Sequence, residues 1–157
     1  MTGRFSASIV AGLIAGVAFG LMMQMMMAPT PDGGRMPVLA MVGQIVGSPT
    51  IGVGWLYHLF NSAVIGAMFG WLIGERVHNY ASGFGWGASY GFAWWILGGL
   101  ILMPIFLGMA AFAPLTTPGM QMVGVGSLIG HLIYGLILGG AFVWLHYGIR
   151  RGAPLHA

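Results

Sequence analysis

His58-Leu59-Phe60-Asn61-Ser62, followed by Gly66, Phe69, Trp71 and Leu72, is answered 73 residues later by His131-Leu132-Ile133-Tyr134-Gly135, followed by Gly139, Phe142, Trp144 and Leu145. Six of the sixteen aligned positions from His58 to Ile73 are identical, and both copies lie in long apolar runs. A pattern repeated at constant register marks an internal duplication and sets the architecture before any local feature does. Here it also places two ionisable side chains at matched depth in two apolar segments.

The remainder of the chain is built to the same plan. Of 157 residues, 58% are hydrophobic and only 4% charged, and the mean hydropathy is +0.90. That composition lies well outside the range of soluble domains. Apolar runs cover about 6–27, 51–74, 84–108 and 123–147, and none contains Asp, Glu, Lys or Arg. Each provides the roughly 20 helical residues that cross a hydrocarbon core. The expected fold is an all-α membrane protein, a single transmembrane domain over 1–157 with four transmembrane helices. Repeat 1 runs over 6–74 and repeat 2 over 84–147. With two spans per copy the halves share one orientation, which makes them a tandem two-helix parallel repeat about an axis along the membrane normal. Helices two and four are expected to face each other across that axis. The first run exceeds the 7 to 15 or so apolar residues of a signal-peptide core and lacks a small-x-small cleavage site, so it reads as a retained helix.

Five arginines and no lysine set the orientation. Arg4, Arg76, Arg150 and Arg151 flank the spans on one side and Arg35 stands alone on the other, which predicts both termini in the cytoplasm. The net charge of +3 is thus a topology signal and not a sign of nucleic-acid binding. Cysteine is absent, so disulfides, thiolate metal sites and cysteine nucleophiles are excluded. The segments 28–50 and 110–122 read as exterior connections, and 75–83 as a short cytoplasmic link. Glycines at four-residue spacing, such as Gly12, Gly16 and Gly20 or Gly66, Gly70 and Gly74, predict closely packed helices.

His58 and His131 are the first candidates for chemistry, because an imidazole in hydrocarbon must find a partner. Each lies about 10 Å below the outer boundary at 1.5 Å rise per residue. Two readings follow. The pair could serve as axial ligands of a b-type haem or another tetrapyrrole, with aromatics such as Trp55, Tyr57, Trp94 and Tyr134 lining the macrocycle. Alternatively, each imidazole simply bonds a carbonyl or a neighbour such as Asn61 or Tyr134 and locks the bundle. Methionine is the second constellation: eleven of thirteen fall toward the outside, and Met22 with Met26 form an i,i+4 thioether pair suited to Cu(I). The plain alternative is gap filling by a flexible apolar side chain. His78, His146 and His156 read as interfacial groups. No Ser/His/Asp set, HExxH or phosphate loop occurs.

The pattern His-Leu-x-x-x-x-x-x-Gly-x-x-Phe-x-Trp-Leu, and especially Gly130-His131-Leu132-Ile133-Tyr134-Gly135-Leu136-Ile137-Leu138-Gly139, resembles the helix pattern of small uncharacterised bacterial inner-membrane proteins of the YagU-like kind. The resemblance covers mainly helices two and four. It implies four helices, multi-pass, in a bacterial inner membrane, and brings no established activity; the methionine cluster is not part of that pattern. The expected function is a non-catalytic accessory or structural subunit, in contact with the lipid bilayer and with other membrane-protein subunits or further copies of itself.

Overall fold

A computed structural model describes residues 2–30 and 32–148. Helix α1 (Thr2–Met25) leads into a two-stranded antiparallel hairpin, β1 (Met27–Pro29) and β2 (Arg35–Pro37), and then into the short helix α2 (Val38–Gln44). Helix α3 (Ile51–Leu72) is followed by a 3-10 turn at Gly74–Arg76 and by α4 (Tyr80–Trp94). Helix α4 continues through a π-helical segment, Trp95–Leu102, into α5 (Met103–Phe106). After α6 (Ala113–Thr116), helix α7 (Gln121–Val143) ends in a second π-helical segment at Trp144–Gly148. Four helical stretches, Gly3–Met25, Ile51–Leu72, Tyr80–Phe106 and Gln121–Gly148, are long and apolar enough to cross a membrane. They match the four expected spans to within a few residues at each end.

The boundaries have local causes. The Thr50 hydroxyl caps α3 by accepting from the Val53 N–H at 3.4 Å. At α4, the Asn79 side chain accepts from the Ser82 N–H at 2.9 Å while the Ser82 hydroxyl accepts from the Asn79 N–H at 3.1 Å. This reciprocal cap starts a helix without any acidic residue. Pro104 lies within the third span and cannot donate a backbone hydrogen bond. The Leu100 carbonyl four residues earlier accepts instead from the Phe112 N–H, at 2.6 Å. That substitution is what a hydrocarbon environment demands of a freed backbone group.

The spans pack most extensively as α1 with α3 and α4 with α7, followed by α1 with α7. A Cβ placed on Gly12 would strike the Ser62 carbonyl and lie 2.9 Å from the Gly66 Cα; one placed on Gly87 would strike the Gly135 carbonyl and lie 3.3 Å from the Gly139 Cα. These two crossings involve positions related by the same shifts, 75 and 73 residues, that align the sequence copies. Helices two and four, expected to face each other across the axis, do not form a close backbone pair as α3 and α7. They meet through side chains, with the Phe69 and Phe142 rings at 5.7 Å and the Tyr134 hydroxyl donating to the Ser62 carbonyl at 3.0 Å. The small residues that permit close approach point from α3 toward α1 and from α7 toward α4. Bulky rings occupy the remaining faces and hold α3 and α7 apart. Gly66 and Gly139 accordingly sit at the crossings within each half instead of beside a central axis.

One end of the bundle carries Arg4, Glu75 and Arg76. Arg4 Nη1 donates to Glu75 Oε1 at 2.9 Å, tying the start of α1 to the turn after α3, and the Tyr147 hydroxyl donates to the Val77 carbonyl at 2.7 Å. The opposite end carries the hairpin and α2, with Arg35. Arg150, Arg151 and His156 lie outside the described residues. The segment 28–50, read from sequence as an exterior connection, in fact folds back on the spans: Val38, Leu39, Ala40, Met41 and Val42 of α2 are buried. A Cβ on Gly54 of α3 would strike the Leu39 carbonyl, so α2 is seated directly on the α3 backbone. In the hairpin turn, the Thr30 hydroxyl and the Gly34 N–H bond Asp32 and hold its carboxyl below the usual range.

Candidate functional site

Both histidines reach the interior in the half of the bundle nearer the hairpin, but they settle differently. His58 Nε2–H donates to the Gly16 carbonyl of α1 at 2.9 Å. His131 Nδ1–H donates to the Ser127 carbonyl of its own helix at 2.8 Å, with the Ser127 hydroxyl at 3.3 Å. A neutral imidazole that donates through one nitrogen keeps an acceptor on the other. His58 therefore retains its Nδ1 lone pair and His131 its Nε2 lone pair. Phe19 of α1 bridges the two rings, meeting His58 edge-on at 5.6 Å between centroids and His131 at 4.7 Å. Trp55 also meets His58 edge-on at 6.3 Å and donates from Nε1 to Gln24 Oε1 at 2.8 Å. Tyr134 is buried, and its hydroxyl is committed to Ser62.

A macrocycle clamped between two axial imidazoles requires both rings to present a nitrogen to one flat space. In the present arrangement Phe19 bridges the imidazoles and His58 spends Nε2 on a carbonyl, which leaves His58 Nδ1 and His131 Nε2 as the nitrogens such a group would take. Among the described residues, no three His, Cys, Asp or Glu side chains gather as a metal site.

The histidines and Tyr134 instead border a cavity of about 340 Å³. Its wall is supplied by Phe19, Met23 and Met26 of α1, by one face of α3 from Tyr57 to Ile65, by Trp94 and the π-helical segment, by α2, and by α7 from Val123 to Tyr134. Six methionines, Met23, Met26, Met41, Met103, Met109 and Met120, line it. The Met22–Met26 pair is divided by this geometry: Met26 lines the cavity, whereas Met22 packs against the core without lining it. Trp55 is likewise absent from the lining. Phe69 and Phe142 are both fully buried, with Tyr90 against Phe69 at 5.3 Å.

The cavity exists because α3 and the third span do not pack closely above Tyr90. The Tyr90 hydroxyl donates to the Ile65 carbonyl at 2.9 Å and ties the two helices there. Beyond that point the π-helical segment begins, and π-helical insertions change the direction of side chains and recur at functional sites. Trp95 Nε1 donates to the Gly124 carbonyl of α7 at 3.2 Å, which draws this stretch toward α7 and leaves the α3 side open. Val64, Leu102 and Phe106, on α3 and the third span, line the cavity and are exposed.

Sequence reasoning missed the contribution of α2 and Asn61 as a lining residue in its own right. Two signals were present: Asn61 stands one turn from His58 on the same helix face, and Pro104 in the third span announced an irregular backbone.

No family model matches the chain, and no curated protein and no solved structure matches it. Fold and site together define a multi-pass, predominantly helical membrane protein with a mainly apolar cavity among its spans.

Proposed function

We propose that this chain is a non-catalytic protein of the bacterial inner membrane that holds a small lipid-soluble molecule in the cavity beside His58 and His131. The observation that supports it is a pocket of ligand size whose wall includes the exposed residues Val64, Leu102 and Phe106 of α3 and the third span, between which a guest would enter from the lipid phase. Binding sites of this kind are concave, mostly apolar and furnished with a few polar groups. A methionine-rich wall suits it further, because thioether side chains adapt to the shape of an apolar guest.

The orientation follows from the positive-inside rule. Arg4 and Arg76 at one end, against Arg35 at the other, favour an orientation with the arginine end in the cytoplasm and the cavity in the outer half of the membrane. The matched glycine crossings support a parallel two-helix repeat. The spans and their short connections account for nearly all of these 157 residues, which fits an accessory subunit that presents its guest to other membrane proteins.

Photolabelling tests the reading. The protein in lipid nanodiscs is irradiated with hexadecane carrying a mid-chain diazirine, and labelled residues are mapped by peptide mass spectrometry. Saturable labelling is expected at Trp94, Leu102 and Met103. Gly98→Leu should abolish it, since Gly98 lines the cavity and a Cβ there meets only Trp94, at 3.6 Å. Labelling that never saturates, or that is the same in Gly98→Leu, would show that the cavity holds no guest.

A further inference from the structure

Along this mainly apolar cavity three polar groups stand without a protein partner among the described residues: the Asn61 side-chain amide, the Tyr57 hydroxyl and His131 Nε2. Asn61 and Tyr57 line the space and make no side-chain hydrogen bond, and every fully enclosed side-chain N or O has a partner. Both side chains are partly buried in the cavity wall. His131 spends Nδ1–H on the Ser127 carbonyl, which leaves Nε2 as an acceptor only. A polar group facing an apolar, water-poor space costs several kcal/mol, of order 2 to 7, when it stays unbonded. These groups are thus placed to receive something.

The chemistry of the wall narrows what that is. No Asp, Glu, Lys or Arg lines the cavity, so a charged head would be buried without a counter-charge. His131 Nε2 requires a donor, whereas the Asn61 amide can both donate and accept. A hydroxyl satisfies both at once. Resting on the cavity reading above, we infer that the guest is an uncharged lipid-phase alcohol or phenol. Its hydroxyl bonds Asn61 and His131, and its apolar body lies along Phe19, Trp94 and the methionines. It enters from the membrane through the seam marked by Val64, Leu102 and Phe106.

The head and the body are tested separately. Two diazirine probes of equal length, hexadecanol and hexadecane, are titrated against the protein in nanodiscs, with half-saturation of labelling at Trp94 and Met103 as the readout. The alcohol is expected to half-saturate at about tenfold lower concentration than the alkane, the ratio that one satisfied buried hydrogen bond supplies. Asn61→Leu preserves side-chain size and removes the amide. It should erase the preference while leaving alkane labelling in place, which also reports that the variant is folded. Equal half-saturation of the two probes in the unaltered protein, or a preference that survives Asn61→Leu, overturns the hydroxyl assignment while leaving the cavity reading intact. Failure of both probes to saturate removes the cavity reading itself.

Discussion

The Tyr134 hydroxyl on α7 donates to the Ser62 carbonyl on α3 at 3.0 Å, and Ser62 in turn donates from its hydroxyl to the His58 carbonyl at 2.8 Å. This chain of contacts is the polar joint between two helices whose backbones do not otherwise approach. The Ser62 carbonyl lies inside α3 and already belongs to the helical ladder, so the tyrosine adds a bond and rescues no orphan. Tyr134→Phe should therefore cost only about 0.6 kcal/mol, the average for side-chain hydrogen bonds within membranes. Unfolding in mixed micelles measures it, and a loss above roughly 2 kcal/mol would mean that the joint carries more than this bond.

Gly139→Ala should be far more damaging. The new methyl would strike the Gly83 carbonyl oxygen and lie 2.6 Å from its carbon, backbone that has nowhere to go. A loss of roughly 1 to 3 kcal/mol is expected from overpacking, and a similar loss from Gly66→Ala, where the methyl would stand 2.9 Å from the Gly12 Cα. Gly52→Ala is the control, since nothing lies within 4 Å of a Cβ there. Equal stability of all three variants would contradict the crossing geometry.

At the arginine end of the bundle the Arg4 guanidinium bonds and attracts the Glu75 carboxyl, holding its pKa below the ordinary glutamate value of 4.5. A carboxylate with a lowered folded-state pKa stabilises the fold above the ordinary value, and that contribution is lost as pH falls through the lowered one. Carbon-detected NMR of the Glu75 carboxyl should show this low midpoint, and Arg4→Met should move it upward. An unchanged midpoint would show that the ion pair does not persist in the membrane.

The division of the methionine pair makes a further test. Met26→Leu should alter hexadecane labelling in the cavity, and Met22→Leu should not. A copper site of the two thioethers makes the opposite demand: anaerobic Cu(I) uptake that disappears when both are changed together.

A preparation from haem-replete cells is expected to lack a Soret band. Phe19 touches both imidazoles and His58 Nε2 is bonded to Gly16. A Soret band lost in both His58→Ala and His131→Ala would restore axial ligation.

The four spans were legible because long apolar runs free of charge permit little else, and the glycine crossings because small residues recur at four-residue spacing. The matched depth of the histidines was legible from the repeat, but their partners were not. Position 54 is glycine and position 127 is serine, and the ring nitrogens engage a different helix in one case and their own in the other. Which helices become neighbours across the two halves was also hidden, because it depends on where Phe69, Phe142 and Tyr134 point, and linear spacing does not give this. Helix α2 escaped notice because seven residues between Pro37 and Gly47 are too few for apolar periodicity to distinguish a helix from a loop. The cavity arises from the π-helical segment ahead of Pro104, where the irregular hydrogen bonding depends on a donor as distant as Phe112.

The two tightest interfaces join spans that are neighbours in the chain, α1 with α3 and α4 with α7, whereas the contact of α1 with α7 closes across nearly the whole sequence. During synthesis each hairpin can therefore zip together as soon as its second span leaves the translocation machinery, while the first half waits for the last span before the cavity has its far wall. A ribosome stalled after α3 would present a finished hairpin with Phe19 and His58 facing lipid. The binding compartment is the last part of the molecule to come into being.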